Sequence, residues 1–179
     1  MVHPVNVVGG GDLNQEIALS EVADQLNRSN NITAEFAENA PWQLLIRFKQ
    51  GGMAILYRTG KYILRGGSSF ESLDELKSQF FNRIESESII DTQEQISYSL
   101  QNVVFLENLN LDIDLAQASI QLGLDQTEYE PEQFPGLIYR PSDFDVVIII
   151  FSTGKVVISG TSNKKIAEEV VEDLQNELI

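Results

Sequence analysis

The strongest constraint on the fold of this chain is that its sequence repeats. Residues 5–26, VNVVGGGDLNQEIALSEVADQL, align without gaps with residues 101–122, QNVVFLENLNLDIDLAQASIQL. A second stretch, YRTGKYILRGGSS at 57–69, aligns with FSTGKVVISGTSN at 151–163. The 179 residues are therefore predicted to hold two copies of one unit, each large enough for a modest hydrophobic core. We place the first copy at 1–90 and the second at 91–179.

Each copy has the same predicted order of elements. A short strand (5–8; 101–105) precedes an amphipathic helix (19–26; 115–122). Three further strands follow in each copy: 43–48, 53–57 and 61–65, then 137–140, 145–151 and 155–159. A longer helix closes each copy (69–84; 163–178), and in the second its apolar stripe is Ile166, Val170, Leu174 and Leu178. Consecutive strands with helices at either end predict an α+β protein: an antiparallel sheet with helices on one face.

The strands carry apolar residues on both of their alternating sets. Val146, Ile148 and Ile150 point one way, and Val147, Ile149 and Phe151 point the other. Only one set can meet a helix layer, which leaves two interpretations. The second face is covered in a closed or sandwiched sheet, or it is an apolar face kept open for a large partner.

Composition narrows the class of function. The formal net charge of −15 opposes binding to phosphate, although acidic surfaces also suit proteins in concentrated salt, where charge repulsion is screened. The charge is uneven: residues 1–84 hold 8 Lys+Arg against 9 Asp+Glu, and residues 85–179 hold 4 against 18. There is no cysteine for disulfides or thiolate metal sites, and no membrane span or secretory signal, so we expect a cytoplasmic protein. We see no nucleophile–base set, phosphate-binding loop or metal cluster, so we expect neither catalysis nor a cofactor.

Three motifs in the second copy carry a family resemblance: NVV at 102–104, YEPEQFPGLIYR at 129–140 and IIIFSTGKVVISG at 148–160. Together with the doubled layout they resemble the TATA-box-binding protein family, especially its archaeal branch, and the acidic composition is similar to that of halophilic members. The resemblance covers nearly all of 98–179, together with 5–26 and 57–69, but is poor at 34–52. It implies a saddle: one curved ten-stranded antiparallel sheet of two pseudo-symmetric repeats with helices on the convex face. The concave face would lie on the minor groove of AT-rich DNA, for which this family is a standard example.

The resemblance also implies roles for particular residues. Phe134 and Phe151 would wedge into a base step, and the amides of Asn6 and Asn102 would donate to acceptors on the groove floor. The implied apolar lining is Val8, Ile55, Ile63, Val104, Ile149 and Val157, beside Ser159, which keeps the hydroxyl of the family's usual threonine. The implied phosphate contacts are Arg47, Lys61, Arg140 and Lys155.

The first copy departs from the family pattern. Ala40 takes the position of the first wedge phenylalanine and Tyr57 that of the second. Trp42 either assumes the wedge role, or the wedge is lost. Arg65 replaces the hydroxyl residue that would face the groove, and a cation is favourable in a narrow minor groove. In the second copy, Asp143 and Asp145 stand where basic residues are usual.

The function that the resemblance implies is general transcription initiation. The protein would bind and bend AT-rich promoter DNA, recruit transcription factor B, and reach RNA polymerase through that factor. Glu130 and Glu132 would face a basic surface of transcription factor B. Two alternatives remain: a regulator with the same fold that has lost specific DNA binding and acts on transcription factor B, or a substrate-recognition module of a nuclease, which would need a further domain.

Overall fold

The structure is a computed structural model that describes residues 1–178. Its strands and helices, in chain order, are β1 (His3–Asp12), α1 (Leu19–Leu26), β2 (Ile32–Ala37), β3 (Ala40–Phe48), β4 (Met53–Tyr57), β5 (Lys61–Arg65), α2 (Phe70–Ser86), β6 (Ser97–Asn108), α3 (Leu115–Gln121), β7 (Thr127–Glu128), β8 (Leu137–Tyr139), β9 (Val147–Ile150), β10 (Lys155–Ser159) and α4 (Lys164–Leu178). A short 3₁₀ helix, Gln93–Gln95, precedes β6.

The ten strands form one antiparallel sheet in the order β2-β3-β4-β5-β1-β6-β10-β9-β8-β7. This order confirms the predicted α+β class and the pairing of consecutive strands. The chain divides into two compact units. The first unit is Asn6–Gln101, and the second is Met1–Val5 together with the described residues from Asn102 onward.

In the first unit, one face of the strands packs under helices. The side chains of this face are fully buried: Leu44, Ile46, Leu56, Tyr62 and Leu64. The Tyr62 ring lies 5.4 Å from Phe80 of α2 between ring centroids, which fixes that helix on this face. The start of α2 is stabilised by a capping box in which Ser69 and Ser72 each accept from the other's backbone N–H.

The second unit likewise has one buried and one half-exposed strand face. Helix α4 buries Val170 and Leu174, as predicted, while Ile166 and Leu178 at its ends are half-buried. Along β9, Ile148 and Ile150 are buried, whereas Val147 and Ile149 are half-exposed. One alternating set of side chains is therefore buried and the other is half-exposed, as the period of two predicts.

The strands differ from the prediction at two kinds of place. β1, β3 and β6 are longer than predicted, and β9 is shorter. In β1 the glycines at 9–11 continue the strand instead of ending it. A Cβ on Gly11 would lie 1.9 Å from the Ser97 carbonyl oxygen, so only glycine fits at that position, and one on Gly9 would lie 2.6 Å from the Tyr98 hydroxyl. β2 and β7 were not predicted. The Thr-Gly-Lys hairpins are confirmed, with Gly60 and Gly154 at φ +90° and +79°.

Candidate nucleic-acid interface

The open strand face of the second unit is a row of apolar side chains in register. Antiparallel pairing places Ile138 beside Ile149, Ile149 beside Val157, and Val157 beside Leu106. All four are half-buried, so the row is neither a closed core nor a fully solvated surface. Of these, the sequence singled out Ile149 and Val157 as groove lining, and the structure places both on this face.

An aromatic pair lies next to Ile149 of this row. The rings of Phe134 and Phe151 contact edge to face, 6.1 Å apart between centroids and inclined by 62°. Phe134 is 37% exposed. The Phe134 N–H donates to the carbonyl oxygen of Glu130 at 2.9 Å, which holds the turn that carries this ring. The structure therefore brings together the two rings that the resemblance assigned to the wedge.

Gly136 allows the rings of Phe134 and Phe151 to pack close to the sheet. A Cβ at this position would lie 2.8 Å from Cε1 of Phe134, 2.9 Å from Cγ2 of Ile149 and 3.3 Å from Cε1 of Phe151. The space that any other residue needs is thus already filled by the two rings and by the groove-lining Ile149.

The first unit has a matching row on its open face. Pairing places Leu45 beside Ile55, Ile55 beside Ile63, and Ile63 beside Gly10. Ile55 is only 6% exposed, so it lies on the predicted face but is largely covered by its neighbours. Ile63 is half-buried. Gly10 contributes no side chain where the second unit has Leu106, so the row of the first unit has one apolar side chain fewer.

The register describes the turn next to the first wedge position. Glu35 pairs with Leu45, as Glu128 pairs with Ile138 in the second unit. Closer to the turn the β2–β3 register shifts between Phe36 and Ala37, and Ala37 pairs with Ala40. Ala40, which the sequence aligns with Phe134, is therefore the first residue of β3 after a tight turn, and Trp42 on the same strand is 59% exposed.

Both arginines predicted to contact phosphate are engaged by a glutamate of the neighbouring strand. Arg140 Nη1 lies 2.9 Å from Glu128 Oε1, and Arg47 Nη1 contacts Glu35 Oε1. All four side chains are about half-exposed, so each pair is screened by solvent and contributes little to stability, about 0–1 kcal/mol. These glutamates were not predicted from the sequence. A glutamate on the strand next to each arginine is the feature that would have indicated the two ion pairs.

The other predicted cations lie at the surface. Lys61 and Lys155 are exposed at the starts of β5 and β10, after the two hairpins. Arg65 is exposed and pairs in register with Val8 and with Met53. It therefore joins the open face of the first unit, as its alignment with Ser159 predicts.

The remaining predicted residues are placed as follows. Asn6 and Asn102 are exposed, and the next alternate residues, Val8 and Val104, are half-buried. The Ser159 hydroxyl is 3.4 Å from the Val147 carbonyl oxygen, to which it donates a long hydrogen bond. Tyr57 is half-buried at the end of β4; Glu130 and Glu132 are exposed on the turn before Phe134.

Several open-face residues escaped the sequence analysis. Each lies two residues along its strand from a residue that was predicted: Leu45, Met53, Leu106 and Ile138. The period of two along each strand was the available signal.

Two tyrosines on the helix-covered face have shifted acidity. Burial, together with nearby Glu177, raises the pKa of Tyr139 to about 12, and the Tyr139 hydroxyl lies 3.5 Å from Glu177 Oε2. Burial also raises the pKa of Tyr62, whose hydroxyl donates to the Ser97 carbonyl oxygen at 2.7 Å. Neither tyrosine belongs to the open face.

The described residues contain no cluster of three or more histidine, cysteine or acidic side chains with metal-binding geometry. Over the same residues, no helix combines the length and apolar character needed to cross a bilayer.

These features define a class: an α+β protein built from a repeated unit, each unit with one strand face under helices and an apolar strand face left open. Comparison with known proteins gives the family. The family model described as "Transcription factor TFIID (or TATA-binding protein, TBP)" matches residues 97–179. The whole chain is similar to TATA-box-binding protein C of Halobacterium salinarum, with 35% identity over 99% of this chain and 97% of that protein.

Other relatives agree. The TATA-box-binding protein of Archaeoglobus fulgidus is 32% identical over 97% of this chain and 92% of its own length. The solved structure of Methanococcus jannaschii TBP superposes with a TM-score of 0.81 at 31% identity, covering 99% of this chain and 97% of that one. The chain belongs to the TATA-binding protein family of transcription factors, and the predicted fold class and family are confirmed.

Proposed function

We propose that this protein is a general transcription initiation factor that binds AT-rich promoter DNA through the minor groove and bends it. The observation that carries the proposal is the edge-to-face pair of Phe134 and Phe151 beside a half-exposed apolar row. Relatives named TATA-box-binding proteins support the choice of DNA. We also propose that the protein acts in the cytoplasm, binds no cofactor and catalyses no reaction.

The mechanism follows from what each group offers to DNA. The exposed Phe134 ring enters a base step, at a cost of a few kcal/mol for unstacking, and the bend brings more protein surface onto the groove. The apolar row excludes water from the groove floor. The exposed amides of Asn6 and Asn102 donate to adenine N3 and thymine O2, which are the acceptors that A·T pairs present there.

Cationic side chains position the duplex without reading its sequence. Lys61, Lys155 and Arg65 are exposed and available to phosphate or to the groove. Arg47 and Arg140 must first exchange their glutamate partners for phosphate. This exchange weakens their contribution to affinity, because one ion pair is broken for each contact formed.

We propose transcription factor B as the protein partner, with RNA polymerase reached through it. Glu130 and Glu132 are exposed on the turn that carries Phe134, and carboxylates there suit a basic partner surface. A partner on this turn would sit next to the wedge, so DNA bending and partner binding would favour each other.

Two observations favour one alternative, a regulator that has lost specific DNA binding and acts by binding transcription factor B. Ala40, which has no ring, takes the wedge position in the sequence of the first repeat, and both predicted phosphate-binding arginines are paired with glutamates. This protein would sequester the factor without bending DNA.

The test is binding and bending of an AT-rich duplex labelled with a fluorophore at each end, in molar KCl, with and without transcription factor B. Phe134→Ala should lower affinity by about tenfold or more, since stacking contributes about 1–3 kcal/mol per base, and should reduce the bend. Ile120→Ala is the control, since this residue of the second unit is 70% exposed on α3.

The outcomes separate the candidates. Bending that requires Phe134 supports the initiation factor. A complex with transcription factor B but no DNA binding supports the regulator instead. A large loss of thermal stability in Phe134→Ala would assign the ring to the core and contradict the wedge.

A further inference from the structure

A hollow of about 700 Å³ lies in the first unit, at the end of β4, where Tyr57 follows Ile55 of the open face by two residues. Its walls are residues 17–20 before and at the start of α1, the ends of β2 and β3 next to their turn, and the end of β4 with the turn after it. Phe36 lies on β2, Pro41 and Trp42 lie on β3, and Tyr57 ends β4 before Arg58. The hollow therefore combines three separate chain segments around a mainly apolar floor.

The aromatic side chains of this hollow are unusually exposed. Trp42 is 59% exposed and Phe36 is 44% exposed. Large aromatic rings contribute most when they are buried, so two of them at the mouth of one hollow leave an unfavourable solvent contact that a partner would remove. Tryptophan, tyrosine and arginine are also the residues that dominate binding energy at protein interfaces, and Trp42, Tyr57 and Arg58 meet here.

Three carboxylates neighbour the lining residues of the hollow in sequence. Glu16 directly precedes the lining residue Ile17, Glu21 directly follows Ser20, and Glu38 lies between Phe36 and Pro41 in the turn. All three are exposed, and their side chains make no hydrogen bond or ion pair within the part of the chain that the structure describes. Among the described lining residues, Arg58 is the charged one, so the edge is net negative.

The negative charge near the hollow indicates which kind of molecule can bind there. A second copy of the chain would bring another net charge of −15 to an already acidic edge, which opposes self-association. A segment with lysine or arginine flanking large apolar side chains would satisfy both the exposed rings and the unpaired carboxylates.

We propose that the hollow is a docking site for a short, basic, amphipathic segment of another protein. One or two large apolar side chains of that segment lie between Trp42 and Phe36. Its flanking cations pair with Glu16, Glu21 and Glu38. The site is specific to the first repeat, because Trp42 is the single tryptophan of the chain and the second repeat has none.

The test uses a display library of random dodecapeptides selected against the full chain, followed by individual synthetic peptides. Trp42 is the single tryptophan of the chain, so its emission reports on the hollow directly. We expect selected peptides to carry lysine or arginine beside an aromatic or leucine residue and to shift Trp42 emission to shorter wavelength. Replacing each cation of a selected peptide by glutamate should weaken binding at least tenfold.

Variants locate the binding site. By anisotropy of a labelled peptide, Trp42→Ala and Glu38→Lys should each weaken binding severalfold or more. Leu124→Ala, which removes a 71% exposed side chain from the second unit, should leave binding unchanged. Circular dichroism of each variant checks that the fold is retained.

Three results would overturn the proposal: selection that enriches no peptide or only acidic ones, peptides that bind Trp42→Ala as tightly as the original chain, or a concentration-dependent emission shift without peptide. The last would make a second copy of the chain the occupant.

Discussion

At the scale of single residues, one absent methyl group controls how two aromatic rings pack. Gly136 leaves room for Phe134, Phe151 and Ile149 to converge, and a Cβ would lie within 3.3 Å of each of them. The FPG sequence therefore has a geometric explanation in this chain: its phenylalanine supplies the ring, and its glycine admits the ring's partner.

We predict that Gly136→Ala will impair DNA bending nearly as much as Phe134→Ala, because the added methyl group pushes the rings off Ile149. Overpacking of this kind costs about 1–3 kcal/mol, so the free energy of unfolding should fall by a similar amount. Two-colour bending assays and denaturant unfolding provide the measurements. Ser152→Ala, beside Phe151 but exposed, is the control. Unaltered bending by Gly136→Ala would show that the spacing of the rings is unimportant.

The glutamate partners give a second residue-scale prediction. Glu35→Gln removes a carboxylate from the open face and frees Arg47 from its ion pair. We expect DNA affinity to rise severalfold and the dependence of log affinity on log salt to steepen by about one unit, since one more phosphate contact forms. The melting temperature should hardly change, since the pair is exposed. Equilibrium titrations over a salt series test this, and weaker binding would contradict it.

At the scale of elements, the sequence specified most of the sheet, but tertiary contacts decided its ends. The helices and the Thr-Gly-Lys hairpins were predicted, since amphipathic period and turn glycines are local signals. The extent of β1 was not, because three consecutive glycines indicate a loop unless Tyr98 and Ser97 cover them. β7 has two residues, too few for any periodic pattern, and β2 lies at the edge of the sheet in the segment least similar to its repeat.

The candidate site divides in the same way. The Phe134 and Phe151 positions follow from motifs that match the family closely, so they were predicted. The Arg–Glu pairs depend on which residues face each other across β2–β3 and β7–β8. Register between strands is set by turn geometry and packing together, which the unmatched segment 34–52 does not reveal.

The contact between β8 and α4 predicts a response to alkaline pH. Tyr139 titrates near 12 in the folded chain because burial and Glu177 disfavour the tyrosinate, against about 10 when unfolded. Between these values the unfolded chain releases a proton that the folded chain retains, so stability is full below pH 10 and falls as the pH rises.

We expect Tyr139→Phe to flatten this decline between about pH 10 and 12, measured by urea unfolding at each pH. Ile120→Ala, at an exposed site, should keep the original slope. An identical slope in Tyr139→Phe would show that this hydroxyl does not govern the alkaline loss.

At the scale of the whole molecule, repulsion between like charges opposes the compact state. A net charge of −15 on 179 residues repels itself in the compact state, and 18 of the 27 acidic residues lie after residue 84. Salt shortens the range of this repulsion from about 30 Å at 0.01 M to about 3 Å at 1 M.

We predict that KCl will raise the melting temperature between these concentrations. For a chain of this length, each kcal/mol gained corresponds to about 2–4 °C. The double variant Glu169→Gln with Glu172→Gln, two exposed positions on α4, should melt higher in low salt and respond less to KCl. Calorimetric scans across the salt series measure these melting temperatures. A melting temperature that does not change with salt would show that charge repulsion does not limit the stability of this protein.

The division into compact units has a consequence for synthesis on the ribosome. Met1–Val5 belong to the second unit, where Val2 is 2% exposed, yet their packing partners begin at Asn102. Residues 1–5 therefore wait for the part of the chain that follows residue 101, whereas the first unit is one continuous segment that can fold as soon as it emerges. Closing a loop of about a hundred residues slows the final step, since contacts distant in sequence form late. During translation the nascent protein would thus hold one finished unit while residues 1–5 still lack their packing partners.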